Sequence, residues 1–276
     1  MLKLIEGEAY LYGGVVYLAK GYQHPEGLVV AYPRYSALQR RKLRDYEKPL
    51  HAKVQWWDCI KREVPLLPLE KVHLYNGPAT LQSALYIKEL LESLLERELY
   101  VTGSALVCEE FNDVDLVSYG ADEETVERLK GLFEKGVLER HLPLLIKEYS
   151  LRHSGKLSLH EYLRVKKETV LHGYYKGVHV NLKLVELRRG YNYCFDPVEE
   201  VTSYTGYVEV VKALNPHLIP ARYLARVGGR EVLLETLREL YAELEPGFYY
   251  AVDAKFENRK SGLYLVPDHG VLKPLH

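Results

Sequence analysis

The sequence predicts an α+β fold in which a central region of helices and strands is flanked by two β-rich segments. Short apolar stretches separated by Gly and Pro turns fill residues 1–75 and recur after Pro197. Between them, apolar residues recur at the spacing of an amphipathic helix. We therefore predict a β-rich segment at 1–78, a mixed core at 79–197 and a small β-rich unit at 198–276. Neither flank alone has enough strands to close a core, which favours one sheet shared between them.

The composition is that of a soluble globular protein. Apolar residues make up 47% of the 276 residues, enough for a sizeable core, and the net charge is −1. A chain so close to neutral attracts no polyanion as a whole, so a nucleic-acid partner would need a local basic patch. The first 25 residues show no secretory signal, and no apolar run is long enough to span a bilayer. We expect a cytoplasmic location and no membrane partner, and the dense, balanced charges suggest a thermophile.

The cysteines give no recognisable pattern. Cys59, Cys108 and Cys194 are odd in number and stand at wide, unrelated spacings. Such spacing argues against a disulfide framework and against a zinc site.

The N-terminal segment begins with a predicted β-hairpin. Two apolar stretches, at residues 9–12 and 15–18, flank Gly13-Gly14, which is a two-residue hairpin signal. A turn at residues 24–27 and a strand at 28–32 follow.

A basic stretch interrupts this segment after the third strand. Its basic residues are Arg34, Arg40, Arg41, Lys42 and Arg44. Two interpretations stay open. The stretch is either a solvated loop with ion pairs to Asp45 and Glu47, or a contact for phosphate or an RNA backbone.

The central elements follow from periodicity and caps. A helix is predicted over residues 80–98 and a strand over 99–102. A second helix is predicted over 122–135, between Asp122 as its N-cap and Gly136 as its stop. Ser158 and Glu161 form a capping box that opens a third helix. Two strands, at 168–174 and 178–187, complete the region.

The C-terminal unit is predicted to contain short strands among Gly and Pro turns. The strands are expected at residues 204–211, 222–227, 248–256 and 262–266. Residues 232–244 are compatible with a helix or a strand, and the spacing of their leucines slightly favours a helix.

The most informative stretch lies in the predicted core. A short apolar strand ends at Thr102, Gly103 and Ser104 form a turn, eight residues follow, and Asp113 and Asp115 then stand two apart in the next strand. Residues two apart in a strand point to the same face. Paired carboxylates suit a divalent cation, and the amides and hydroxyl of the turn suit phosphate oxygens.

This order of Gly-Ser, spacer and Asp-x-Asp resembles the signature of the DNA-polymerase-β-like nucleotidyltransferase superfamily. The resemblance covers residues 99–120, and residues 21–25 and 31–35 are similar to an archaeal family of predicted nucleotidyltransferases. It implies a polymerase-β-like core, a mixed sheet with helices on one face. In such a core Asp113 and Asp115 would hold Mg²⁺ or Mn²⁺, and Gly103 and Ser104 would hold the phosphates of an NTP. The chain departs from the signature in its spacer, which lacks Arg-Gly.

A second departure concerns the third carboxylate of the superfamily, which a neighbouring strand supplies. The resemblance aligns Asn181 with that position, and Asn can neither act as a base nor bring charge to a metal. Asn181 and Lys183 share one face of the strand at 178–187 and are candidate substrate-binding residues. Lys183 either neutralises phosphate charge or is a solvated strand lysine. If Asn181 pointed away from the aspartates, three glutamates would be the alternative ligands: Glu109, Glu110 and Glu186.

These expectations lead to three hypotheses. The first is a metal-dependent nucleotidyltransferase that transfers a nucleoside monophosphate from an NTP to an unknown acceptor. The alternative is a catalytically inactive nucleotide- or RNA-binding protein on the same fold. In the third, the chain is a structural domain in which Asp113 and Asp115 are incidental.

Overall fold

The computed structural model describes residues 4–77, 82–187 and 194–275. The chain forms two compact units. The first comprises Met1–Ala121 and Tyr175–Pro197, and the second comprises Asp122–Tyr174 and Val198–His276. Both units are discontinuous in sequence, whereas the sequence predicts three consecutive segments.

The predicted α+β fold with a polymerase-β-like core is wrong. The described residues are β-rich, with 43% in strands and 25% in helices, and their strands form three sheets. The helical periodicity of the centre led us to overestimate the helical share. The C-terminal unit, predicted to be small, contains a strand of 18 residues and a six-stranded sheet. The N-terminal and C-terminal strands belong to separate sheets.

The first sheet lies in the first unit and contains seven strands. The N-terminal elements are β1 (Ala9–Tyr12), β2 (Val15–Ala19), β3 (Leu28–Ser36), β4 (Arg41–Lys42), α1 (Lys48–His51), β5 (Val54–Trp57), β6 (Arg62–Pro68) and β7 (His73–Leu74). The strands are ordered β5-β6-β3-β2-β1-β7, with β4 on β3. The predicted β1–β2 hairpin is confirmed. Gly13 and Gly14 turn at φ +56° and +79°, as a type I′ turn requires.

The central region alternates helices with short strands, but two of its helices were not predicted: Gly103–Val107, where a turn was expected, and Leu142–Arg152. Its elements are α2 (Gln82–Leu95), β8 (Tyr100–Thr102), α3 (Gly103–Val107), β9 (Asp113–Tyr119), α4 (Glu123–Glu134), α5 (Leu142–Arg152), α6 (Leu159–Lys166), β10 (His172–Tyr175) and β11 (Val178–Val185). The predicted start of α2 at residue 80 lies outside the described residues. The caps are confirmed, because Asp122 accepts a hydrogen bond from the Thr125 amide (3.0 Å) and Ser158 from the Glu161 amide (3.2 Å).

Within the first unit, β9 is the centre of the second sheet. It pairs with β8 in antiparallel and with β11 in parallel orientation. On one face, Val114 and Leu116 of β9 are fully buried, as are the aligned residues of β11. The opposite face carries the Asp-x-Asp pair. The alternation of β9 and β11 therefore sends Val114 and Leu116 to a core and Asp113 and Asp115 to the other face.

The third sheet lies in the second unit. Its strands are β12 (Val198–Asn215), β14 (Ala221–Val227), β15 (Arg230–Thr236), β16 (Gly247–Arg259), β17 (Gly262–Val266) and β18 (Val271–Pro274). The short strand β13 (Leu218–Ile219) lies between β12 and β14 in the chain but does not belong to this sheet. Because β12 pairs with both β14 and β16, five strands close on themselves in the order β12-β14-β15-β17-β16. Strands β15 and β17 are parallel, and the other neighbours in this sheet are antiparallel.

The helix favoured for residues 232–244 is wrong. Residues Arg230–Thr236 form β15, and a short 3₁₀ turn follows at Glu239–Tyr241. Val232, Leu234 and Thr236 are buried while the residues between them are half-buried. This period of two is the strand signal, and the leucine spacing masked it.

The expectation of no disulfide is also wrong. Cys59 and Cys194 of the first unit are bonded to each other, and Cys108 is a buried free cysteine. The bond joins positions 135 residues apart, so no local spacing could reveal it. Gln23 reinforces the same connection, since it accepts a hydrogen bond from the Asp196 amide (2.8 Å) and donates one to the Asp196 carbonyl (3.3 Å).

Candidate functional site

The polar face of β9 and β11 brings the predicted site residues together. In the parallel register, Asp115 lies opposite Asn181. Aligned residues on neighbouring strands point the same way, so the side chain of Asn181 lies beside both aspartates. Its Nδ2 donates hydrogen bonds to Asp115 Oδ1 (2.7 Å) and Asp113 Oδ2 (3.2 Å). The predicted juxtaposition of Asp113, Asp115 and Asn181 is therefore present.

Gly103 lies against the carboxylate of Asp115. It has φ +67°, and a Cβ added there would lie 1.9 Å from Asp115 Oδ2. No residue with a side chain fits at this position while Asp115 keeps its place. The next residue, Ser104, donates a hydrogen bond from Oγ to Asp113 Oδ1 (3.3 Å). The turn and the Asp-x-Asp strand thus form one structure.

Packing against the first sheet holds this turn in place. Leu106, Val107 and Cys108, at the end of α3, share a buried cluster with Val16 and Tyr35 of the first sheet. Before the turn, the Thr102 hydroxyl donates a hydrogen bond to the carbonyl of Gly7 (3.0 Å). Both ends of the Gly103–Ser104 turn are fixed by contacts within the first unit.

The site is mostly buried but not closed. Asp113 is 8% exposed and Asn181 is 6% exposed, while Asp115 and Ser104 are half-buried. Tyr35 is a buried neighbour that the sequence analysis missed. Burial, and next the charge of Asp115, raise the pKa of Tyr35 above its usual range. Its ring therefore lies in the electric field of the carboxylates.

Asn181 has one polar atom without a partner. Among the described residues, its Oδ1 is buried and forms no hydrogen bond. A half-turn of the amide exchanges its nitrogen and its oxygen. Such a turn would place a carbonyl oxygen beside the two carboxylates.

Lys183 lies farther along the same face of β11 and contacts a carboxylate that the sequence analysis did not consider. Its Nζ lies 3.4 Å from Oε1 of Glu6, and Lys20 Nζ lies 3.1 Å from the same atom. Glu6 is 3% exposed and also accepts a hydrogen bond from the Gly21 amide (2.7 Å). Lys183 is therefore not simply a solvated strand lysine.

The basic stretch forms ion pairs in part as expected. Arg41 forms a bidentate pair with Glu47 (2.9 and 2.7 Å), whereas Asp45 pairs with a lysine beyond the stretch. Arg40 pairs with Glu109 (3.3 Å), and its carbonyl accepts the Glu109 amide. The stretch thus lies next to the residues that follow α3. Glu109, an alternative metal ligand in the sequence analysis, is occupied by this exposed ion pair.

The comparisons with known proteins add no identity. No protein-family model matches the chain, and no curated protein and no solved structure shows a significant match to it. Among the described residues, no helix combines the length and the apolar character needed to cross a membrane.

Proposed function

We propose that the chain is a metal-dependent nucleotidyltransferase that moves a nucleoside monophosphate from an NTP to an acceptor. The observation that supports this proposal is the convergence of Asp113, Asp115 and Asn181 beside a turn whose glycine leaves room for the carboxylates. Hard divalent cations take carboxylate and amide oxygens as ligands. The proposal rests on this local chemistry and not on the overall fold.

The donor set fits Mg²⁺ or Mn²⁺. Two carboxylates lie within hydrogen-bond distance of one amide group, and the amide oxygen is buried without a partner among the described residues. A half-turn of the Asn181 amide would supply that oxygen as a third ligand. The Nδ2 group donates to both carboxylates and so offsets their mutual repulsion.

Each residue of the site has a separate role in this proposal. Asp113 and Asp115 would hold the metal ion. Gly103 leaves room for the Asp115 carboxylate against the backbone, and Ser104 would offer a hydroxyl to a phosphate oxygen. Lys183 would neutralise phosphate charge. When bound, the metal supplies positive charge to the phosphates and lowers the pKa of the attacking hydroxyl.

A catalytically inactive nucleotide- or RNA-binding protein is the second candidate. The residue that favours it is Asn181, which brings no negative charge to the metal and cannot act as a base. A carboxylate base typically contributes about 10²–10⁴-fold in rate, so its absence would leave a slow or inactive site that still binds.

RNA is a candidate partner in either case. Residues 34–48 contain six basic and two acidic residues, although the whole chain has a net charge of −1. Tyr46 in this segment is 66% exposed and lies under the guanidinium of Arg44. Exposed aromatic rings among arginines suit stacked bases and phosphates. The ion pair of Arg40 with Glu109 keeps the segment beside α3.

Two measurements separate these candidates. Isothermal titration with Mn²⁺ should give a binding signal that the double variant Asp113→Asn, Asp115→Asn loses. Incubation with each labelled NTP and total cellular RNA then measures transfer of label to the RNA. Transfer that requires both aspartates supports the enzyme, whereas binding without transfer supports the inactive protein. If the double variant binds Mn²⁺ as well as the native chain does, Asp113 and Asp115 do not hold the metal, and the nucleotidyltransferase proposal fails.

A further inference from the structure

A buried carboxylate joins two lysines from distant parts of the sequence. Glu6 Oε1 lies 3.1 Å from Lys20 Nζ and 3.4 Å from Lys183 Nζ. Because both ammonium groups contact the same oxygen atom, they lie close to each other. Lys20 follows β2 of the first sheet, and Lys183 belongs to β11 of the second.

The lysines lie next to the proposed metal site. Lys183 is two residues beyond Asn181 on β11, on the same face, which corresponds to roughly 7 Å along the strand. Gly7, directly after Glu6, packs over this part of the sheet. A Cβ at Gly7 would lie 3.8 Å from Val117 and 3.9 Å from Lys183. The segment that contains Glu6 therefore lies on the face that carries Asp113 and Asp115.

Glu6 carries its negative charge between the two lysines, whose side chains solvent can still reach. Burial raises the pKa of Glu6, but the charges of Lys20 and Lys183 and the hydrogen bond from the Gly21 amide together lower it further. The carboxylate is therefore ionised at neutral pH and attracts both ammonium groups. The side chains of Lys20 and Lys183 remain 38% and 20% exposed, so an anion can reach them.

We propose that Lys20 and Lys183 form a polyphosphate-binding pair and that Glu6 is the positioning residue that holds them together. The inference rests on the proposed function, because it places the distal phosphates of the NTP on the lysines while the aspartates hold the metal. A triphosphate carries several negative charges along a short chain. Two ammonium groups at one end of the site and a cation at the other match that distribution.

Binding of inorganic tripolyphosphate in the presence of EDTA tests the pair directly. We expect binding that weakens with salt. Lys20→Met removes the charge from a partly exposed side chain and should weaken binding about 10-fold or more, as loss of a charge-assisted contact does. Lys20→Arg should retain most of the affinity. Lys53→Met is the matched control, because this exposed lysine lies outside the cluster, and it should bind like the native chain.

Absence of tripolyphosphate binding in the native chain would overturn the inference. So would equal loss in Lys20→Met and Lys53→Met, which would show that only overall charge matters.

Glu6→Gln separates positioning from charge. If Glu6 only neutralised the lysines, its removal would strengthen binding of an anion. If it positions them, Glu6→Gln should weaken tripolyphosphate binding about 10-fold, even though a negative charge has been removed. Circular dichroism identifies a variant that fails to fold. If Glu6→Gln does not fold, the comparison of Lys20→Met with Lys20→Arg tests the proposal by itself.

The outcome is separable from that of the proposed function. Mn²⁺ titration without phosphate reports on the aspartates and should be the same in Lys20→Met as in the native chain. Tripolyphosphate binding in EDTA should survive Asp113→Asn, Asp115→Asn. A native chain that binds tripolyphosphate but not Mn²⁺ would overturn the nucleotidyltransferase proposal and leave the lysine pair. A native chain that binds Mn²⁺ but not tripolyphosphate would overturn only the lysine pair.

Discussion

Asn181 determines how much negative charge the site offers to a metal ion. Asn181→Asp would place a third carboxylate within about 3 Å of two others. Repulsion among them should lower the stability of the metal-free protein by about 1–2 kcal/mol. In exchange, Mn²⁺ should bind about tenfold more tightly, because hard cations depend on carboxylate charge. Mn²⁺ titration and melting with and without Mn²⁺ check both effects, and any transferase rate should rise. Unchanged Mn²⁺ affinity would mean that Asn181 is not a ligand position.

His24 gives the first unit a pH-dependent stability. It is fully buried, its Nδ1 accepts the Val30 amide (3.1 Å), and its Nε2 lies 2.9 Å from the Leu4 carbonyl. Burial lowers its pKa from 6.5 to about 4. The unfolded chain therefore takes up a proton first as the pH falls, so stability is lost between pH 6.5 and pH 4.

We expect that loss to be about 2 kcal/mol between pH 7 and pH 5. Urea unfolding at the two pH values measures it, and in His24→Gln most of the difference should disappear. A variant with the native pH dependence would assign the effect to other groups.

The residues of the site differ in how visible they are in the sequence. Asp113, Asp115 and Asn181 lie in strands, where a period of two predicts which side chains share a face. Glu6 and Lys183 are 177 residues apart and belong to no local pattern. Only the folded chain brings them together, so no sequence motif could have revealed the cluster.

At the scale of elements, the Gly103–Ser104 turn decides whether the carboxylates can occupy their positions. Gly103→Ala introduces a side chain at positive φ and pushes it against Asp115. Gly13→Ala is a matched control, since Gly13 has φ +56° and open space around its Cβ position. Both variants should lose about 1–2 kcal/mol through backbone strain. Only Gly103→Ala should also lose about 10-fold or more in Mn²⁺ affinity, because Asp115 must move.

Thermal melting and Mn²⁺ titration of both variants make the comparison. If Gly103→Ala retained the native Mn²⁺ affinity, the contact with Asp115 would have no part in metal binding.

The sequence predicted an element correctly where a single local pattern specified it. The Gly13-Gly14 hairpin and the caps at Asp122 and Ser158 depend on neighbouring residues, and the structure has them. In residues 232–244 the apolar side chains fit both the period of a strand and the period of a helix. The pairing of β15 with β14 and β17 decided in favour of the strand, and that pairing is a tertiary effect.

At the scale of the whole molecule, the sequence could not predict how the strands divide among sheets. The closure of the third sheet depends on β12, whose 18 residues pair with two different strands. Several short predicted strands are equally compatible with one shared sheet or with separate ones, because pairing partners lie far apart in the chain. The predicted fold class therefore failed although most of its elements were found.

The disulfide provides the last prediction. Cys59 and Cys194 are 135 residues apart, so their bond restricts a long loop of the unfolded chain. Removing it by Cys59→Ala should destabilise the first unit by about 2–5 kcal/mol. Cys108→Ala is the control for loss of a buried cysteine, and Cys59→Ala should exceed it.

Both tryptophans of the sequence, Trp56 and Trp57, lie in the first unit, so their fluorescence during urea unfolding reports on that unit. A reducing agent should shift the native chain to the midpoint of Cys59→Ala and leave that variant unchanged. If the native midpoint does not move when the bond is reduced, the disulfide contributes nothing to stability, and the Gln23–Asp196 hydrogen bonds and packing suffice to hold the segment.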